Sequence, residues 1–310
     1  MRLLHDIEHL KLRKPAVTIG TFDGVHPGHR RIISVLNDTA EKCGGESLLI
    51  TFHPHPRHIL TPETNLKLLN TIEEKTALLE KTGIDNMVVF PFTREFSRLG
   101  AYTFVKEYLV NRIGVCCLIF GYDHLFGKDR EGSFDNLKKY SKEFGFGVIK
   151  VDAFAKDSRN FSSTYIRKLI AEGYVKEAHG YLGYPYPLTG EVRDGYGIGR
   201  TIGFPTANLR IWDNKKLLPG NGVYAVRVTV DDSAFTGMLN IGYRPTVNSA
   251  AREKSVEVHI VDFEQDIYNK AVRIEFVDRI RDEIRFESRD ALAKQLQADK
   301  EKAILLTRGG

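Results

Sequence analysis

Gly20-Thr21-Phe22-Asp23-Gly24-Val25-His26-Pro27-Gly28-His29 follows an apolar, β-branched run, Ala16-Val17-Thr18-Ile19. It directly precedes a segment in which Ile32, Ile33, Leu36 and Ala40 keep the three- and four-residue spacing of a helix. The order is therefore strand, glycine-bearing loop, helix. Pro27 suits the first helical turn, where its missing N–H is no loss, and Gly28 has no side chain to keep a ligand off the backbone. A helix N-terminus offers unpaired N–H groups and a positive dipole end to an anion. His26 and His29, three apart on one face, add imidazole donors, so the stretch reads as a phosphate cradle. Two alternatives stand beside this: a zinc pair, completed by His53, His55 or His58, and simple helix capping. Against zinc, Pro27, Pro54 and Pro56 impose loop geometry on both histidine groups.

Outward from this stretch the alternation repeats. Leu48–Ile50, Met87–Phe90, Val115–Phe120 and Val148–Val151 read as buried strands, separated by helical spacing at Ile72, Leu78 and Leu79 and at Phe104, Tyr108 and Leu109. Such repeats without tight hairpin signals predict a parallel sheet covered by helices on both faces. The histidines of the cradle and of Thr51–Arg57 then follow the first two of these strands, at the ends where open parallel sheets bind ligands. Farther on, Ser162, Ser163 and Thr164 open a helix; they can cap it and present hydroxyls to an anion, with Arg167 able to grip a phosphate bidentately.

At Tyr181-Leu182-Gly183-Tyr184-Pro185-Tyr186-Pro187 the pattern changes, because two prolines among tyrosines cannot continue a helix. A domain boundary is placed there, giving 1–183 and 184–310. Val223–Val230, Phe235–Ile241, Val256–Val261 and Ala271–Ile280 read as strands, the first two joined at Asp231-Asp232-Ser233. These predict a small antiparallel barrel, followed by a helix that starts after Ser288 and shows Leu292, Leu296 and Ile304 on one side.

Before that barrel, Asp194 to Leu209 carries Gly195, Gly197, Gly199 and Gly203, with Arg200 among them. The spacing is wrong for a dinucleotide fingerprint, and the run ends in Pro205 with no helix behind it. A flexible turn, or a loop folding over phosphates, both fit. Thr206 and Asn208, two apart on an extended chain, face one side and could reach a hard cation such as Mg²⁺. Glu257 lies between Val256 and Val258, so its side chain points away from theirs, toward solvent or toward a site.

The whole chain sets limits on these readings. It has 310 residues, 42% hydrophobic and 27% charged, enough for about two globular domains. The 45 Lys and Arg against 40 Asp and Glu leave +5 with no basic run, which fits small anionic substrates better than a phosphate backbone and argues against a polynucleotide binder. Cys43, Cys116 and Cys117 form no disulfide framework and imply a reducing cytoplasm. There is no signal-peptide-like start and no apolar run long enough to span a membrane. A homo-oligomer is left open.

The Gly20–His29 element resembles the nucleotidyltransferase superfamily. Thr51–Pro56, Gly121-Tyr122-Asp123-His124-Leu125-Phe126-Gly127 and Phe161–Arg167 narrow it, and together these elements resemble bacterial bifunctional riboflavin kinase/FAD synthetases. The second half agrees: Gly197, Gly199 and Arg200 with Gly203–Asn208, Gly222–Val226, Asn240–Thr246 and Val256–Ile260 look like the riboflavin kinase barrel. The resemblance implies an α/β plus β protein, a Rossmann-like nucleotidyltransferase (FMN adenylyltransferase) domain and a β-barrel riboflavin kinase domain with a terminal helix. It further implies two ATP sites, with riboflavin, FMN and FAD as substrates and products, and Mg²⁺. In the first, His26 and His29 are catalytic; Gly20, Phe22, Asp23 and Gly28 lie opposite Ser162, Ser163, Thr164 and Arg167 around the triphosphate, and His53, Pro54, Asp123 and Phe126 bind flavin. In the second, Gly197, Gly199 and Arg200 cover phosphates, Thr206 and Asn208 hold Mg²⁺ and ATP, and Glu257 is the general base. A nucleotidyltransferase for another phosphate substrate, and a flavin or nucleotide sensor without turnover, are the rival readings.

Overall fold

The computed structural model describes the chain except residues 5, 6, 8, 9, 122–126, 128–131, 153, 154, 157, 158, 195–198, 200, 201, 244–253, 309 and 310. Its contacts divide it into two compact units, Met1–Ser163 and Thr164–Gly310.

In the first unit six strands form one sheet: β1 (Arg2–Leu4), β2 (Ala16–Ile19), β3 (Ser47–His53), β4 (Asn86–Pro91), β5 (Cys117–Gly121) and β6 (Gly147–Val151). Their order is β1-β4-β3-β2-β5-β6 and every pairing is parallel. The four expected strands beside Ala16–Ile19 are present; the short edge strand β1 was not expected. Successive residues of each strand feed opposite cores. Val17, Leu48, Val88 and Leu118 pack with Phe104, Leu109 and Leu137 on one face, whereas Ala16, Leu49, Met87 and Ile119 pack with Ile33, Leu36 and Leu79 on the other. From β2 the chain moves outward through β3 and β4, then crosses back to β5 on the other side of β2. The order therefore reverses at β2, and the loop that follows it sits at the switch point where open sheets leave a crevice. A short antiparallel pair, β7 (Ala155–Lys156) and β8 (Arg159–Asn160), follows.

The second unit is a closed barrel of β9 (Pro187–Arg193), β10 (Ala207–Ile211), β11 (Gly222–Val230), β12 (Ser233–Tyr243), β13 (Lys254–Ile260) and β14 (Ala271–Arg281), in the order β10-β13-β12-β11-β14-β9. All these pairings are antiparallel. The helices Ser163–Glu172 and Val175–Leu182 precede it. Residues of both touch the barrel unit: Gly220 N donates to Ile170 O, and Lys176 pairs with Asp278 at 3.1 Å.

The terminal helix spans Arg289–Arg308, and the Ser288 hydroxyl accepts from Ala291 N, as its cap position predicts. Its buried residues are Asp299, Ala303 and Thr307, not Ile304. The cause is an ion pair: Arg281 of β14 donates through Nε and Nη2 to Asp299, at 2.9 and 2.7 Å to Oδ2, and Gln295 adds a bond to Oδ1. The buried stripe of the helix thus carries a carboxylate that is 1% exposed. Among the described residues no helix is long and apolar enough to cross a membrane.

Candidate functional site

The loop after β2 turns inward before it reaches the helix Pro27–Lys42. Phe22 and Asp23 are buried. Asp23 accepts from the backbone N–H of Leu69 and of Asn70, and the Asn70 amide oxygen accepts from Gly24 N. Lys75, 5% exposed, donates to the Thr21 carbonyl at 2.7 Å. Burial lowers the pKa of its ammonium, and the nearby Asp23 carboxylate opposes that shift. Neither Asn70 nor Lys75 was singled out from sequence; both sit around a helix whose Thr71–Glu74 capping box was the legible signal there.

His26 is the N-cap, with Pro27 behind it as the first helical residue. Its Nδ1 accepts from His29 N at 3.4 Å, and the two imidazoles stack with centroids 3.7 Å apart. Gly28 makes this possible, because a Cβ there would meet two ring atoms of His26 at 3.2 Å. Its lack of a side chain thus serves the imidazole as well as any ligand. The Ser163 hydroxyl donates to the Asp23 carbonyl at 2.8 Å, which brings the start of the helix Ser163–Glu172 to the same loop. Ser162 and Ser163 are half-buried and Arg167 likewise, while Thr164 is exposed.

The second histidine group is spent partly on backbone. His55 caps the helix Pro56–Leu60, accepting from Arg57 N, and His58 Nε2 donates to Leu66 O at 2.8 Å. His53 is exposed at the end of β3, with Pro54 half-buried after it. Beside it stands an aromatic cluster: Phe52 meets Phe92 at 5.5 Å and Phe96 at 6.0 Å, and Phe90 meets Phe96 at 4.8 Å. Sequence reasoning missed this cluster, since its rings come from three separate segments. Asp123 and Phe126 lie outside the described residues.

In the barrel, Glu257 of β13 is in register with Asn208 of β10 on one side and with Asn240 of β12 on the other. Directly opposed residues share a face, so three polar side chains form a row. Val256 and Val258 are buried on the opposite face. A cavity of about 370 Å³ opens over the Glu257 face. Glu257, Asn240, Thr206, His259 and Arg281 give it polar groups, and Phe204, Met238, Phe286, Leu292 and Leu296 give it an apolar wall. A second cavity of about 300 Å³, bordered by Pro205, Ala207, Phe263 and Tyr268, shares Thr206 with the first.

His259, the one histidine beyond residue 183, was not anticipated. Its Nδ1 donates to the Pro205 carbonyl at 2.8 Å, and its ring meets Phe204 edge-on at 5.3 Å. Burial pulls its pKa below the ordinary value, and the Pro205 bond opposes that shift. Gly199 closes the turn before Phe204, accepting from Phe204 N at 2.8 Å; a Cβ there would stand 2.2 Å from the Phe204 carbonyl oxygen. Gly197 and Arg200 lie outside the described residues. The hydroxyl, amide and carboxylate oxygens of Thr206, Asn208 and Glu257 are hard donors of the kind Mg²⁺ prefers. Asn208 stands directly across from Glu257, so the residues present fit that ion.

Residues 9–165 match the family model described as FAD synthetase, and residues 182–306 match the one described as riboflavin kinase. A protein of Haemophilus influenzae named bifunctional riboflavin kinase/FMN adenylyltransferase is 38% identical over 304 residues, covering 98% of this chain and 97% of that one. Its Bacillus subtilis namesake is 35% identical, covering 94% and 92%. A solved structure described as a macrolide-efflux protein from Streptococcus pneumoniae superposes with a TM-score of 0.87 at 33% identity, covering 97% of each chain.

Proposed function

The chain belongs to the bifunctional riboflavin kinase/FMN adenylyltransferase family, and from that premise we propose how its own residues divide the two reactions. It phosphorylates riboflavin to FMN with ATP and adenylylates FMN to FAD with a second ATP. We assign the second reaction to residues 1–183 and the first to 184–310.

The observation that carries the kinase assignment is the Asn208–Glu257–Asn240 row, of which Glu257 and Asn240 line a cavity with an apolar wall. The flavin ring occupies the apolar side, and its ribityl 5′-hydroxyl reaches Glu257. The hydroxyl oxygen bonds to the γ-phosphorus, its proton passes to the Glu257 carboxylate, and the bond to the β,γ-bridging oxygen breaks to release ADP. Neutral His259 holds Pro205, and with it the Thr206–Asn208 segment, in place. Thr206 and Asn208 would hold Mg²⁺, which when bound supplies charge neutralisation to the transferring phosphoryl group. Gly199, with Gly197 and Arg200, covers the phosphates.

In the first unit the stacked imidazoles at a helix N-terminus support adenylyl transfer. A phosphate oxygen of FMN attacks the α-phosphorus, and pyrophosphate leaves. His26, His29 and the N–H groups at Gly28 stabilise the charge spreading over the α-phosphate. Gly20, Phe22 and Asp23 shape the loop, and Ser162, Ser163, Thr164 and Arg167 take the rest of the triphosphate. His53, Pro54 and the neighbouring phenylalanines, with Asp123 and Phe126, take the flavin. The substrates are small molecules, without nucleic acid, and consumption of two ATP per FAD supports a cytoplasmic setting.

The test is direct: purified chain is incubated with riboflavin, ATP and Mg²⁺, and the flavins are separated by chromatography. FMN and then FAD accumulate, and chelation of Mg²⁺ by EDTA stops both. Absence of either product with Mg²⁺ present removes the corresponding assignment.

A further inference from the structure

The loop that presents His26 is held in an unfavourable shape. Phe22 and Val25 have φ of 46° and 34°, in the left-handed region, and Val25 is β-branched, so its conformation is costly. Such a turn persists only where its surroundings over-determine it. Here the fixings converge on Thr21, Asp23 and Gly24. Thr21 O accepts from Lys75 Nζ at 2.7 Å and from Thr51 Oγ1 at 3.2 Å, Asp23 is fixed by the backbone before the Lys75 helix, and Gly24 N donates to Asn70. Lys75 stands out because an ammonium is expensive to bury, and an apolar side chain would fill its place at less cost.

We infer that Lys75 is a positioning residue for adenylyl transfer: bonded to the Thr21 carbonyl, its ammonium keeps the Thr21–Val25 turn in the shape that seats the His26 and His29 imidazoles at the helix start. It touches neither nucleotide nor flavin. The inference rests on the reading of this loop as the adenylyl site. Loss of the bond lets the turn relax toward ordinary φ, and the imidazoles lose their alignment. Misalignment weakens transition-state contacts more than ground-state binding, so the effect falls on turnover.

The experiment measures FMN-to-FAD conversion and riboflavin phosphorylation by the full chain carrying Lys75→Met. The expected result is a kcat for FAD formation lowered about 10- to 100-fold, with KM for ATP within about twofold and FMN formation unchanged. Leu137→Ala, fully buried in the core cluster that does not contain Phe22 or Val25, controls for plain destabilisation. A kcat loss in Lys75→Met no greater than in Leu137→Ala overturns the inference. If Lys75→Met fails to fold, Thr51→Val decides, since it removes the other bond to the same carbonyl: a severalfold lower kcat supports the role and an unchanged kcat overturns it. His29→Ala separates the two levels. Unchanged FAD synthesis in that variant defeats the site reading and this inference with it. A fall there with normal Lys75→Met turnover defeats the positioning role alone.

Discussion

Asn208 and Glu257 face each other across the β10–β13 pair, one strand supplying an amide and the other a carboxylate to the same side of the barrel. That opposition places the acid beside the residues assigned to the phosphate end of ATP. Glu257→Gln keeps the shape and removes the base, so FMN formation falls by about 10² to 10⁴. FMN-to-FAD conversion continues at its normal rate. Separate assays started from riboflavin and from FMN check this; equal loss in both would contradict the division of labour.

His29→Ala takes one imidazole from the stack at the helix start. Removal of one preorganised donor at a charge-developing centre costs about 10²-fold or more in turnover, so FAD synthesis falls while riboflavin phosphorylation persists. The two rates are read on one preparation, the kinase rate serving as the internal measure of folded enzyme.

Asp299 is buried against Arg281, and truncation of one partner strands the other's charge. Asp299→Ala lowers stability of the barrel unit by about 3 to 5 kcal/mol, whereas joint replacement by Arg281→Met and Asp299→Leu comes close to neutral. Denaturant melts of the parent, Asp299→Ala and the double replacement decide it, and a single mutant as stable as the parent would refute the pair's role.

His259 has a folded-state pKa below its ordinary value of about 6.5. Between those two values the unfolded chain binds more protons than the folded one. The stability it contributes is therefore complete above about pH 6.5 and declines as pH drops through the window toward the lower, folded value. Thermal unfolding followed from neutral to mildly acidic pH reveals this slope, and His259→Gln flattens it. A slope identical in both proteins would assign the effect to other groups.

Much of this was legible in the sequence wherever a signal was local. Pro27 and Gly28 mark a helix start in any context, and Val256-Glu257-Val258 fixes which way the carboxylate points once the strand is granted. What escaped was assembled by pairing. Strands β9 and β10 are short and interrupted by Gly190 and Arg210, and become strands because β14 and β13 flank them. His259 reads as an isolated histidine until Pro205 is folded onto it. Lys75 reads as one more charge on an amphipathic helix, and only the return of Thr21 to that helix makes it a buried donor. Likewise the phenylalanines near His53 become a cluster through β3–β4 pairing.

The terminal helix, finally, lends Leu292 and Leu296 to the wall of the Glu257 cavity. With the flavin placed there as proposed, docking of that helix and occupancy by the vitamin form a single linked equilibrium, each favouring the other. Riboflavin is then expected to act as a folding ligand for residues 289–308, slowing amide exchange there, and its absence to leave this last segment the first place for a protease to begin.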